Sequence, residues 1–67
     1  MQNATFKTSD GSFVGLGHHV VNFNTPAVIV GIHTDSNGEA SPILRQILNG
    51  KLKGGKWVAD PKFLTKN

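Results

Sequence analysis

Three histidines, His18, His19 and His33, are the residues of this chain best suited to proton transfer or metal ligation. Neighbouring side chains on a strand point to opposite faces, so His18 and His19 cannot easily share an ion, and His33 could join only one of them. A structural zinc site takes four ligands, and there is no cysteine here to complete one. We therefore expect no metal and no cofactor, and histidines that hydrogen-bond locally or sit at an interface. Ser12 or Ser41 beside a histidine would be the raw material of nucleophilic catalysis, but no nucleophile-elbow spacing accompanies them. The four acids are scattered: Asp10 suits a turn, Asp60 a helix cap, and Asp35 and Glu39 flank one loop. Gly15-x-Gly17 lacks the lysine and the helix start of a phosphate loop. The expectation is that the chain is not an enzyme.

Binding chemistry is better represented. Residues 1–44 hold one lysine against three acids, a net charge of −2, whereas residues 45–67 hold Arg45, Lys51, Lys53, Lys56, Lys62 and Lys66 against Asp60, a net of +5. Arg45, Lys51, Lys53, Lys56 and Lys62, together with Trp57, are the candidate contact residues for a partner or a nucleic acid. Lysines would hold phosphates while the Trp57 ring stacks on a base. Each residue also has a structural explanation. Lysines keep a small domain soluble and blunt exposed strand edges, and a single tryptophan in so small a chain is usually a core filler.

The elements that must position these residues are mostly strands. Ala27–Ile32 is the one long apolar run; it carries Val28, Ile29 and Val30, is entered through Pro26 and exits at Asp35-Ser36-Asn37-Gly38. Strict alternation puts Val28, Val30 and Ile32 on one face and Ala27, Ile29, Gly31 and His33 on the other. Both faces are largely apolar, so the strand should be central, with a neighbour on each side. Asp10-Gly11 should make a two-residue hairpin turn, pairing Ser9 with Ser12 and leaving Phe6 and Phe13 on the same face. His18–Phe23 reads as a strand that turns through Asn24-Thr25-Pro26 into the central one. Residues 35–40 form a polar loop, the candidate mobile segment.

Residues 41–50 fit two structures. As a short helix over 42–49, favoured slightly here, they offer Ser41 as N-cap, Pro42 at the first helical position and Gly50 past the end. As a strand they offer Asn49-Gly50 as a hairpin turn into Lys51-Leu52-Lys53. Gly54-Gly55 breaks the chain before a last strand at 56–60, and Asp60-Pro61 should open a single helical turn that folds Phe63 and Leu64 onto the core.

The ending Gly55-Lys56-Trp57-Val58-Ala59-Asp60-Pro61-Lys62-Phe63-Leu64 resembles the last strand and closing turn of SH3-like barrels. Gly55, Trp57, Pro61 and Leu64 would fill the places of glycine, aromatic, turn proline and final apolar residue. His18–Ile32 is similar to a module of the short SH3-like proteins of bacteria and their phages. The resemblance covers residues 13–65 and implies a mainly β, strongly bent five-stranded barrel, with residues 1–67 expected to form one domain. It also implies a non-enzymatic binding module. The chain has no tyrosine and a single tryptophan, so the aromatic ladder for proline-rich peptides is not carried over.

With 67 residues the core is small, and a second subunit could supply missing buried area. No apolar run approaches the roughly 20 residues that span a bilayer, and the N-terminus does not look like a leader, so a cytoplasmic protein with no membrane partner is expected. The leading expectation for function is an accessory or inhibitory protein of the kind phages encode, acting by protein–protein contact or as a homo-oligomer. Ile43, Leu44, Ile47 and Leu48 are the apolar residues that such contact would cover. The alternative is a nucleic-acid-binding barrel using the basic C-terminal face.

Overall fold

The β-branched run Val28-Ile29-Val30 takes the extended backbone its side chains favour, and the longest strand of the protein forms around it. The computed structural model describes residues 4–67. The reading of the N-terminus, so far as it concerns residues 1–3, lies outside the described residues. Seven strands follow in order: β1 (Phe6–Lys7), β2 (Phe13–Val14), β3 (His19–Asn22), β4 (Thr25–Thr34), β5 (Ala40–Leu48), β6 (Lys51–Val58) and β7 (Leu64–Lys66), with a 3-10 turn at Pro61–Phe63. β1 and β2 form a hairpin of their own, and the other five make one antiparallel sheet in the order β6-β5-β4-β3-β7. β4 is the middle strand, as the two apolar faces of its sequence require.

The core lies on one face of that sheet. Val20, Ala27, Ile29, Leu44 and Leu64 are buried there beneath Phe6 and Val14 of the hairpin and Ala59. Trp57 packs against this cluster, and its indole Nε1 donates to Asn22 Oδ1 at 3.1 Å. β6 and β3 are three positions apart in the sheet order, roughly 14 Å if the sheet were flat. The bond therefore requires the sheet to curl around its core. It does not close: β6 pairs only with β5 and β7 only with β3. The hairpin occupies the open side, where Ser9 donates to the Leu64 carbonyl through both its backbone N–H (2.8 Å) and its hydroxyl (2.9 Å). The expected barrel is thus a curled, open sheet with a hairpin laid across it.

Residues 42–49 are not a helix but most of strand β5. Asn49 (φ +52°) and Gly50 (φ +78°) form the two-residue left-handed turn of a tight hairpin, and Pro42 and Leu44 alternate into the core. Pro42 is tolerated because β6 ends beside it. Its carbonyl accepts from Ala59 N (3.0 Å), just past the last residue of β6, so little ladder is lost with the missing N–H.

Irregularities in the pairing change which residues share a face. In the first hairpin Phe6 pairs with Val14 and Lys7 with Phe13, around a three-residue loop, Ser9-Asp10-Gly11, with Gly11 at φ +84°. That one-residue slip from the two-residue turn buries Phe6 and leaves Phe13 63% exposed, so the two rings lie on opposite faces. In β4, Ile29 pairs with Leu44 and Gly31 with Ile43, making Val30 an extra, bulged residue. Beyond it the alternation inverts, and Ile32 joins Ala27 and Ile29 on the core side while Gly31 and His33 turn outward. In β6, Arg45 pairs with Lys56 and Gln46 with Lys53, so Gly54 and Gly55 are looped out of one continuous strand rather than separating two.

Two turns behave as their chemistry suggests. Asp60 Oδ1 accepts from Lys62 N (3.1 Å) and Pro61 opens the single 3-10 turn, after which Leu64 is fully buried; Phe63, expected on the core with it, instead stays 49% exposed. The loop over residues 35–39 is closed by Asp35, whose Oδ1 accepts from the backbone N–H of both Asn37 and Glu39 at 2.9 Å.

Candidate functional site

Among the described residues, none forms a second layer over the face of the sheet turned away from the core. The apolar side chains of that face include Val28, Ile43, Ile47, Leu52 and Val58, with the bulged Val30 among them, all half-buried or exposed; Arg45, Lys56, His33 and Ser41 share the face. Side chains at these positions would normally alternate to polar on a solvated face. Both bulges open onto this surface and shape a groove of about 460 Å³. Val30, Ile43 and Leu52 give it apolar walls, Gly31, Gly54 and Gly55 leave bare backbone in it, and Arg45 and Lys56 supply its charge. A Cβ added at Gly54 or Gly55 would meet no atom within 4 Å, whereas one at Gly31 would come within 3.3 Å of Ile43 Cδ1. The groove is therefore open over the glycine doublet and tight against Ile43.

Arg45 and Lys56 face each other across β5 and β6. Arg45 Nε donates to the Gly54 carbonyl at 3.0 Å, which fixes the plane of the guanidinium beside the bulge. No acidic side chain of the described residues lines the groove. Among the described residues the one ion pair lies elsewhere, Lys62 Nζ to Asp60 Oδ2 at 3.7 Å, between exposed groups whose attraction is weakened by solvent screening.

The candidate contact residues are therefore only partly brought together. Arg45 and Lys56 share the outer face. Lys53 pairs with Gln46 and Lys51 with Leu48, which sets both on the other face, at the tip of the β5–β6 hairpin. Trp57 pairs with Leu44 on the core side, is half-buried against the core cluster and is held by Asn22. Lys62 stands on the 3-10 turn, its ammonium 5.3 Å from the centroid of the Phe63 ring.

That turn belongs to a second exposed cluster. Phe23, which the sequence placed at the end of a strand, instead occupies the β3–β4 turn at φ +48° and is 72% exposed, its ring 5.4 Å from that of Phe63. Asn22 lies beneath this pair. It donates from Nδ2 to the Phe63 carbonyl (3.2 Å) while accepting from Trp57, so one buried amide links the turn, the core tryptophan and β3.

His18 Nδ1 accepts from Gly15 N at 2.6 Å and His18 N donates to the Gly15 carbonyl at 3.1 Å, closing the turn around Gly17 (φ +84°). Ser41 is directly across from His33 in the register, and no side-chain hydrogen bond joins them. No group of three or more histidine and carboxylate side chains suited to a metal is present among the described residues. Among them, too, no helix is long and apolar enough to cross a membrane.

The groove residues Val30, Gly31, Ile43 and Leu52 were not singled out as a site from sequence. The glycine doublet and the glycine within the apolar run were their only signal, since such glycines mark bulges or close approach of another chain. No protein-family model matches the chain, and neither curated proteins nor solved structures include a significant match to it.

Proposed function

We propose that this protein is a non-enzymatic interaction module that docks through the outer face of its sheet onto another protein or a second copy of itself. The observation that carries the proposal is that no layer of the described residues covers Val28, Ile43, Ile47, Leu52 and Val58, side chains a sheet open to solvent would largely exchange for polar ones. An accessory or inhibitory role in the cytoplasm, of the kind phage proteins fill, suits a chain this small. Kinship with SH3-like barrels remains part of the proposal. It is supported by the closing sequence, in which Trp57 packs on the core, Pro61 opens the 3-10 turn and Leu64 is buried behind it.

The test is mass in solution and partner capture for the protein and for a Leu52→Lys, Val58→Lys variant, both substitutions being at exposed positions. A concentration-dependent dimer that becomes a monomer in the variant supports self-association. A monomer that captures a protein only without the substitutions supports a separate partner. Association or capture that is indifferent to both substitutions overturns the proposal. Nucleic-acid binding through Arg45, Lys51, Lys53, Lys56, Trp57 and Lys62 ranks second, since these residues point in several directions and few could follow one phosphate backbone.

A further inference from the structure

We infer that the groove between β4, β5 and β6 is a socket for a carboxylate, carried beside an aliphatic side chain on an extended segment of the docking protein. This rests on the docking reading above and names the chemistry that would anchor it.

The first ground is electrostatic. Arg45 and Lys56 are direct cross-strand partners on one face, an arrangement in which like charges disfavour the sheet. No acid of the groove offsets them. An anion seated between the two would turn that repulsion into two attractions.

The second ground is geometric. The Gly54 carbonyl takes the Arg45 Nε–H, so the guanidinium is already oriented, and its terminal nitrogens remain to meet a carboxylate edge-on. The third is shape. Gly54 and Gly55 leave open space beside the cations, and Val30, Ile43 and Leu52 wall it with aliphatic carbon. A volume of about 460 Å³ is that of a small ligand pocket, enough for a few side chains.

These features together favour a protein segment over a nucleic acid. Sugar and phosphate would leave the aliphatic walls unmatched, and Lys51 and Lys53, which might extend a phosphate track, lie on the opposite face. An aspartate or glutamate next to leucine, isoleucine or valine matches both the charge and the walls.

The experiment is an amide NMR titration of the intact protein with an acetylated, amidated Ser-Leu-Glu-Leu-Ser peptide and its Ser-Leu-Gln-Leu-Ser counterpart. A short single-stranded DNA serves as the competing class. The acidic peptide should shift the amides of Gly31, Gly54 and Gly55 saturably and bind roughly tenfold more tightly than the neutral one. Arg45→Gln combined with Lys56→Gln should erase that difference while the spectrum elsewhere stays that of the folded protein. Gly55→Val, at a position with no left-handed backbone and open space around it, should fold normally and block the peptide without changing any charge.

Equal binding of the two peptides in the groove would overturn the carboxylate inference and leave apolar docking standing. Binding of neither, in a protein whose association still depends on Leu52 and Val58, would overturn it likewise. DNA that shifts the same three glycines more strongly than the acidic peptide would replace it with nucleic-acid recognition.

Discussion

Replacing Asn22 by alanine should come close to unfolding the protein. Asn22 is only 7% exposed, and its side chain makes two hydrogen bonds, accepting from Trp57 Nε1 at 3.1 Å and donating to the Phe63 carbonyl at 3.2 Å. Alanine would leave an indole N–H and a backbone carbonyl without partners. Each group stranded in this way costs about 1–3 kcal/mol, for a sum of roughly 2–4 kcal/mol if part of the surface rehydrates. A core of this size rarely supplies more than about 3–5 kcal/mol in total, so the loss is comparable to the whole margin. Trp57→Phe removes the same bond from its other end, and the two substitutions should couple by about 1 kcal/mol in a double-mutant cycle. Urea unfolding followed by far-UV circular dichroism measures all four proteins. Trp57, the only tryptophan, reports separately on the two that retain it. A loss below about 0.5 kcal/mol for Asn22→Ala, or strictly additive effects, would refute the claim that this bond holds β6 against β3 across the curl.

Three further outcomes follow from individual contacts. The Asp10 carboxyl is held below the usual aspartate range, first by the Thr8 hydroxyl and then by backbone N–H groups including that of Ser12. Its folded pKa is the lower one, so its contribution is complete above the ordinary value of about 3.9 and is lost as the pH falls through the folded value. Asp10→Asn should therefore be less stable than the parent at neutral pH, with the difference shrinking in acid; urea midpoints measured against pH check this. Gly50→Ala places a side chain at φ +78° in the β5–β6 turn and should cost about 1–2 kcal/mol by the same urea assay, with no change in the dichroism of the folded state. A chelator added during thermal melting should leave the midpoint where it was, because the histidines are not gathered with carboxylates into a metal site among the described residues.

What could be read from sequence followed from local chemistry. The Ala27–Ile32 run announced a middle strand through β-branching and two apolar faces, and Asp60-Pro61 announced a capped turn. Residues 42–49 were ambiguous because Ile43, Leu44, Ile47 and Leu48 satisfy a helical face, while the Asn49-Gly50 turn and the alternation of Pro42 and Leu44 satisfy a strand. A helix of two turns has little stability of its own, so pairing on both sides, with β4 and β6, decided the matter. Face assignments failed where the ladder skips a residue. Nothing in the composition of Ile29-Val30-Gly31 marks Val30 as the bulge that turns Ile32 inward, and a single slip in the first hairpin moved Phe13 to the surface. The groove shares that cause. Counting back from the Asn49-Gly50 turn would set Arg45 opposite Gly54; only the two looped-out glycines bring Lys56 across from it.

The same looped-out glycines lie on β6, which forms one border of the sheet, while the other border, β7, is three residues long. Strand-by-strand extension from either border would meet a kink with Lys51, Lys53 and Lys56 on one side, and too short a template on the other. Stacking through the broad surface is of a different kind: two bodies that meet there each cover what the other exposes, and a third finds nothing left to join. An association of the proposed kind, through that surface, would therefore stop at a fixed size instead of growing into fibres.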